Sequence, residues 1–371
     1  MNAHEPQVAE RFALQLVQER LSKEERAQRM EHLGFGKLFT EHMIVIPYHE
    51  GSGWGQGVLK PYGPIVLDPA ASVLHYGQAI FEGFKAYRQP DGHIRTFRPE
   101  ANANRFMTSA RRLAMAELPV DLFVAAADLL ITQEKDWVPT AIGESLYLRP
   151  LMIATEPALG VHASADYLFI LIASPSGAYF PQGVKPVTVW ISENYVRAAP
   201  GGTGAAKCAG NYAASLVAQT EAKAEGCDQV VWLDAVQRRY VEEMGGMNIF
   251  FVYQEKGETV VVTPELTGTL LPGITRLSLL TMAKELGYRT EERRVTVEEW
   301  REALLEGRMT EAFACGTAAV ITPIGMVKSA QGQWEINGGH TGPVAQRLRD
   351  ALLNLQHGLA PDTHGWMHEV C

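Results

Sequence analysis

With 371 residues, 46% hydrophobic and 20% charged, the chain has the composition of an ordinary soluble globular protein and enough length for two domains, each with its own core. A formal charge of −9 argues against a general nucleic-acid binder, which would show a basic stripe, and no run approaches the roughly 18 to 20 apolar residues of a membrane span. Four cysteines (Cys208, Cys227, Cys315, Cys371) are widely spaced and form no Cys-x-x-Cys, which argues against zinc and against a disulfide framework. The first residues, with Glu5, Glu10, Arg11, Glu19 and Arg20, hold no apolar signal core and are too acidic for a transit peptide, so a reducing cytoplasm is the expected location.

Residues 13–32 read as an amphipathic lead-in helix that wraps a domain. From Phe39 to Tyr87, short strand runs such as Met43-Ile44-Val45-Ile46 alternate with Gly/Pro turns. Helix patterns follow over Ala101–Met115 and Leu122–Trp137, then strand runs over Leu146–Ile153 and Tyr167–Ala173. Pro175, Ser176, Gly177, Pro181 and Gly183 crowd together as a linker. The expected organisation is therefore a small N-terminal α+β domain over 1–176, a linker over 177–187, and a larger α+β domain over 188–371. In that second part, strands are expected at Val187–Ile191, Val230–Leu233, Ile249–Tyr253 and Thr259–Val262. Helices are expected at Ile274–Leu286, Val297–Leu305 and Val344–Leu355, with Thr296 and Glu299 as a capping box. The order of elements is α+β, not regular βαβ.

The loop Gly201-Gly-Thr-Gly-Ala-Ala-Lys207-Cys-Ala-Gly-Asn-Tyr212 stands out. Small residues on both sides of one amine let a flat molecule lie against the backbone, and desolvation there would lower the amine's pKa and make it a nucleophile. A helix is predicted to follow over Tyr212–Ala224, with Leu216 and Val217 on its apolar side and Gly226 closing it. A Walker A loop needs Gly-Lys-Ser/Thr, whereas Ala206 and Cys208 flank this lysine. The dinucleotide pattern fails because Lys207 occupies the place of its third glycine.

The ordered set of motifs is more specific than any one of them. Leu74-His75-Tyr76, Phe81-Glu82-Gly83, Tyr147-Leu148-Arg149-Pro150, Tyr195-Val196-Arg197, the lysine loop, Glu243-Met244-Gly245, Leu271-Pro272-Gly273-Ile274-Thr275-Arg276 and Cys315-Gly316-Thr317-Ala318 occur in sequence. The chain resembles the branched-chain amino acid aminotransferases of the fold-type IV pyridoxal-phosphate enzymes over nearly its whole length. That resemblance implies a two-domain α+β fold and a pyridoxal 5'-phosphate cofactor. It also implies amino-group transfer between leucine, isoleucine or valine and 2-oxoglutarate. A D-amino acid aminotransferase or an aminodeoxychorismate lyase of the same fold is the alternative. No metal is expected.

By resemblance, Lys207 forms the Schiff base and moves the proton in catalysis, and Glu243 pairs with the pyridine nitrogen. Glu242 beside it is expected to be a solvated carboxylate. Arg105, the segment Leu271-Pro272-Gly273-Ile274-Thr275 and Thr317 are expected to bind phosphate, with Arg197 and Tyr212 completing the cofactor shell. The resemblance assigns Phe35, Tyr76, Phe81 and Tyr147 to an aromatic substrate pocket. Arg149 would meet the distal carboxylate of glutamate, and Thr317 and Ala318 the α-carboxylate. It further implies a homodimer in which Leu159 and Val161 reach the neighbouring subunit's pocket, and Tyr179 as a lid contact. Two departures stand out: Gly246 where many relatives carry threonine, and no Cys-x-x-Cys after Gly316-Thr317-Ala318.

Overall fold

The structure, a computed structural model, describes residues 11–177 and 185–371. The expected lid residue Tyr179 lies outside the described residues. The described chain falls into two compact units: 11–177 with Ala206–Ala209 and Leu355–Cys371, and 185–205 with Gly210–Asn354. Two segments expected in the C-terminal domain, the lysine segment and the C-terminal tail, thus cluster with the first unit. The tail is held by strand Met367–Glu369, which pairs antiparallel with Ile94–Phe97.

The first unit is built on a ten-stranded sheet. Its strand order is Phe12–Leu14, Gly57–Pro61, His42–His49, Asp166–Ser176, Ser145–Ala154, Phe84–Arg88, Ile94–Phe97, Met367–Glu369, with short strands Gly53–Trp54 and Ala79–Phe81 attached beside it. Helices Pro99–Arg112 and Val120–Gln133 bury Phe106 and Phe123 against Phe84 and Phe169. Each such ring contributes about 1.5–3 kcal/mol on full burial.

The lead-in differs from the expectation of one helix over 13–32. Phe12–Leu14 pairs parallel with Gly57–Pro61, and only Lys23–Met30 is helical. The helix starts at Ser22 because Ser22 and Glu25 form a reciprocal capping box. The extended stretch before it is held by polar partners on the sheet. Val17 N–H donates to Nε2 of the buried His42 (3.0 Å), whose Nδ1 bonds the buried Glu134.

The second unit carries a nine-stranded mixed sheet. Its order is Val241–Met244, Gln229–Leu233, Val187–Ser192, Val320–Ser329, Met309–Gly316, Met247–Glu255, Glu258–Thr263, Arg289–Glu292, with Gly332–Glu335 alongside Val320–Ser329. The expected helix Tyr212–Ala224 is two pieces, Ala209–Ala213 and Leu216–Ala224. Leu216 and Val217 face outward, and the buried face is instead Ala218 and Ala222, against Cys227, Val230 and Trp232. Bulky residues would not fit so close to an indole, whereas alanines do. At helix Val297–Leu305, Thr296 caps the Glu299 N–H. The Glu299 carboxylate turns instead to Tyr253 and Arg293, so only half of the expected box forms.

Candidate active site

In the first unit the lysine segment is an extended edge laid along Ala79–Phe81. The Phe81 N–H donates to the Lys207 carbonyl (3.0 Å), and Ile80 and Cys208 form an antiparallel bridge. The Lys207 N–H donates to Ser109 Oγ (2.9 Å). Ser109 and Arg105 stand four residues apart on helix Pro99–Arg112, hence on one face of it. The helix that fixes the lysine backbone thereby also delivers Arg105.

Arg105 is held by a fully buried carboxylate, Glu82, through Nε to Oε1 (2.7 Å) and Nη2 to Oε2 (2.8 Å). This planar two-point match is the strong form of an arginine–carboxylate pair. Gly83 N–H also donates to Glu82 Oε2 (3.1 Å). A Cβ at Gly83 would lie 1.8 Å from the Tyr147 hydroxyl, so only glycine fits beneath that phenol.

Tyr147 and Arg149 alternate onto one face of Ser145–Ala154. Arg149 Nη2 donates to the Tyr147 hydroxyl (3.1 Å), while its buried Nε has no hydrogen-bond partner among the described residues. The Phe81 ring is approached by Lys207 Nζ at 4.6 Å and by Arg149 Cζ at 4.9 Å. Phe35 packs edge-on against Tyr147 at 4.9 Å. Burial of the Lys207 amine pushes its pKa down to about 8 against the pull of Glu82, with Arg105 and Arg149 pushing the same way as burial.

Tyr76 lies apart from this cluster in its bonding: its hydroxyl donates to the Leu159 carbonyl. Leu159 and Val161 are 68% and 83% exposed, too much for core residues.

In the second unit the chemistry gathers around Glu243. Arg197 Nε pairs with Glu243 Oε2, and its Nη2 donates to the carbonyls of Gly204 and Thr269 (2.8 Å each). Any side chain at Gly204 would meet the Thr269 carbonyl at 2.1 Å, so glycine is what lets the loop close on this arginine. A cavity here is lined by Arg197, Asn211, Tyr212, Glu243, Gly246 and Leu271, among others. A Cβ at Gly246 would touch Tyr212 at 3.6 Å, an ordinary contact, so the missing threonine leaves space and no clash.

Beyond Leu271, helix Ile274–Glu285 begins at Gly273 with no side-chain cap. Its first N–H groups therefore present the positive end of the helix dipole at Ile274 and Thr275, both buried side chains. Thr317 and Ala318, both part-buried, sit in the turn between strands Met309–Gly316 and Val320–Ser329.

Several residues of this architecture carried no assignment from sequence. Glu82 and Gly83 lie in a quoted motif, yet nothing in the motif says that Arg105, 23 positions away, will close on the carboxylate. Asn248 bridges Glu243 Oε1 (3.1 Å) and the Leu271 carbonyl (2.9 Å) through one Nδ2. Glu242, expected to be solvated, is 6% exposed and accepts from Thr269 Oγ1, with burial raising its pKa. Among the described residues no group of three or more His, Cys, Asp or Glu is placed to hold a metal, and no helix is long and apolar enough to cross a membrane.

Known proteins match these features. The family model "Amino-transferase class IV" covers residues 79–327. A probable branched-chain-amino-acid aminotransferase of Streptomyces coelicolor is 60% identical over 94% of this chain and 96% of its own. The branched-chain-amino-acid aminotransferase of Mycolicibacterium smegmatis is 59% identical over 90% and 91%. Among solved structures, the Escherichia coli branched-chain amino acid aminotransferase superposes with a TM-score of 0.72 at 28% identity, covering 90% of this chain and all of that one. The Thermobaculum terrenum branched-chain amino acid aminotransferase, solved in its PLP-bound holo form, also gives 0.72, at 25% identity over 90% and 100%. With the lysine segment, the Glu82–Arg105 clamp and the Glu243 hairpin in the places described, the chain belongs to the class IV aminotransferases, in their branched-chain-amino-acid aminotransferase group.

Proposed function

We propose that this protein is a pyridoxal-phosphate-dependent transaminase that passes the amino group between leucine, isoleucine or valine and 2-oxoglutarate. The observation that carries this function is Lys207, an amine whose pKa burial lowers to about 8 beside the arginine held by Glu82. The residues present fit the cofactor by charge and by the donors they offer. Glu243 offers a carboxylate to a protonated ring nitrogen, backed by Arg197, Asn248 and the Leu271 N–H. The uncapped helix start at Gly273 offers backbone amides to a phosphate.

When bound, pyridoxal phosphate stores the amino group between half-reactions and accepts the electrons left at the substrate Cα. The protein's part is to bind, orient and move protons. Lys207 would anchor the cofactor through its amine and, once displaced by the substrate's amine, would carry the proton from the substrate Cα, a task suited to an amine whose pKa is lowered to about 8. Arg105, the Ile274 and Thr275 amides, the Thr275 hydroxyl and Thr317 hold the phosphate, with Leu271 and Gly273 shaping the approach. Arg197 pairs with the Glu243 carboxylate and orients it, and Tyr212 flanks the ring.

Substrate selection must serve aliphatic side chains and glutamate in one pocket. Phe35, Tyr76, Phe81 and Tyr147 supply carbon surface for the former. The unmatched buried Nε of Arg149 supplies a donor for the distal carboxylate of the latter. The α-carboxylate takes the Thr317 and Ala318 amides. Leu159 and Val161, so exposed here, reach the neighbouring subunit's pocket in a homodimer. We also assign Tyr179 to a lid within a linker over 177–187, between domains 1–176 and 188–371, and place the enzyme in the cytoplasm.

Purified protein given L-leucine and 2-oxoglutarate should form glutamate and 4-methyl-2-oxopentanoate, and L-leucine alone should convert the cofactor's absorbance to that of the amine form. Transfer from D-alanine but not from L-leucine would overturn the proposal in favour of a D-amino acid enzyme.

A further inference from the structure

Glu243 and Asn248 face each other because the chain turns back on itself in two residues. Strands Val241–Met244 and Met247–Glu255 pair antiparallel, with Met244 opposite Met247 and Glu243 opposite Asn248. Gly245 takes φ +56° at the first turn position and Gly246 lacks a positive φ, the pattern of a type II′ hairpin, which asks for glycine first. Asn248 is 5% exposed and also pairs across the sheet with Cys315, so its side chain has little freedom.

The orientation of its amide follows from chemistry. Both groups at one end of the side chain, the Glu243 carboxylate and the Leu271 carbonyl, are acceptors, so the nitrogen faces them. Leu271 N–H returns a bond to the same carboxylate oxygen (3.2 Å), closing a ring of three residues. The other end of the amide, Oδ1, occupies the space where a Cβ of Gly273 would be, 2.0 Å away. One side chain therefore touches the carboxylate at one end of the expected cofactor and the glycine that opens the helix at the other.

Granted the roles proposed above for Glu243 and Thr275, we infer that Asn248 is a positioning residue that locks the Glu243 carboxylate and the Leu271–Thr275 turn into one register. Without it, Glu243 keeps Arg197 and the Leu271 N–H as partners, and that one longer bond of 3.2 Å is left to join the carboxylate to the turn. The two ends are then only weakly coupled in holding the cofactor.

The test uses the holoenzyme and reads the rate of cofactor release by absorbance in the presence of a trapping apoenzyme. N248A should speed release about tenfold, the scale of losing one buried hydrogen-bonded clamp. N248D keeps the shape but turns the donor into an acceptor facing two acceptors; it should release faster still, and it carries the test if N248A does not fold. A double-mutant cycle separates positioning from mere packing. In the natural background E243Q and T275A should together speed release by about fivefold less than the product of their single effects. In the N248A or N248D background the two should multiply within about twofold. If E243Q and T275A each leave release unchanged, the roles given to Glu243 and Thr275 fail and the inference falls with them. If both speed release but the Asn248 variants do not, or the coupling survives in those variants, the inference about Asn248 alone is overturned.

Discussion

The amine of Lys207 should titrate far below an ordinary lysine, and that difference can be measured without turnover. Its pKa is pushed from 10.5 to about 8, chiefly by burial. At pH 7.5 about one quarter of such amines are neutral, against about one in a thousand for an ordinary lysine, a difference of about two hundredfold in the reactive form. Competitive acylation of the apoprotein with a small anhydride, with N-acetyl-lysine amide in the same tube and peptide mapping by mass spectrometry, reads both rates together. The Lys207 peptide should gain reactivity with a midpoint near pH 8. Glu82→Gln should move the midpoint lower, because the Glu82 carboxylate is the largest influence opposing burial. A midpoint near 10.5, or one indifferent to Glu82, would refute the account of how this amine is activated.

The same shift has a consequence for stability, and its sign follows from proton counting. Between pH 8 and 10.5 the unfolded chain binds a proton at this position that the folded chain does not. Stability therefore rises with pH across that window as far as this group is concerned. Below pH 8 the folded protein carries the full cost of holding a charged amine, about 3 kcal/mol for a displacement of this size. Lys207→Ala should accordingly fold without loss of apoprotein stability at about pH 7 while losing transamination. A destabilised Lys207→Ala apoprotein, by thermal unfolding, would mean that the amine is not desolvated.

Arg105→Ala should weaken cofactor retention far more than it alters substrate preference, by about 1.5–3 kcal/mol for each charged hydrogen bond lost; normal cofactor affinity with a changed substrate profile would contradict its assignment. Arg149→Ala should slow the glutamate half-reaction more than the leucine half-reaction in single-turnover measurements, since only glutamate brings a second carboxylate to its unmatched Nε; equal losses would make it a structural residue. Mild peroxide should leave activity largely intact, with no recovery on adding dithiothreitol. Cys208, Cys227 and Cys315 are buried and Cys371 alone is exposed, and burial raises the Cys315 thiol far above the range in which it ionises.

What the sequence disclosed was local. The strands begun at Met43, Leu146, Tyr167, Val187, Val230, Ile249 and Thr259 and the helices at Ile274 and Val297 follow from alternation, caps and glycines within a few residues of each other. The lysine, Tyr147 and Arg149 stood in quoted motifs, and Arg105 was assigned by the family resemblance alone. The rest depends on partners far along the chain. Phe12–Leu14 becomes a strand only because Gly57–Pro61 lies beside it, and His42 and Glu134 hold the chain that follows. A residue-by-residue pattern at 13–32 cannot register that competition. Leu216 and Val217 look like the buried side of a helix, yet the facing Trp232 takes so much room that two alanines pack there instead. Glu242 and Glu243 are adjacent and alternate in direction along a strand, so chemistry could single out one of them but not foresee that both would be buried.

The glycines of the motifs show why those motifs are legible at all. Gly83 is fixed by the Tyr147 hydroxyl, Gly204 by the Thr269 carbonyl, and Gly273 by the amide of Asn248; in each case a Cβ would come within about 2 Å of the neighbouring atom. None of the three is a turn requiring positive φ. Each marks a place where a backbone must come close to a polar group that itself serves the site: the phenol beside Arg149, the carbonyl that holds Arg197, and the amide that holds Glu243. A glycine in such a motif therefore records the presence of a partner far away in sequence, and its identity can be read before the partner can. That asymmetry explains why Lys207 and its loop were evident from the sequence while Asn248, whose partners are Glu243, Leu271 and Gly273, became visible in three dimensions.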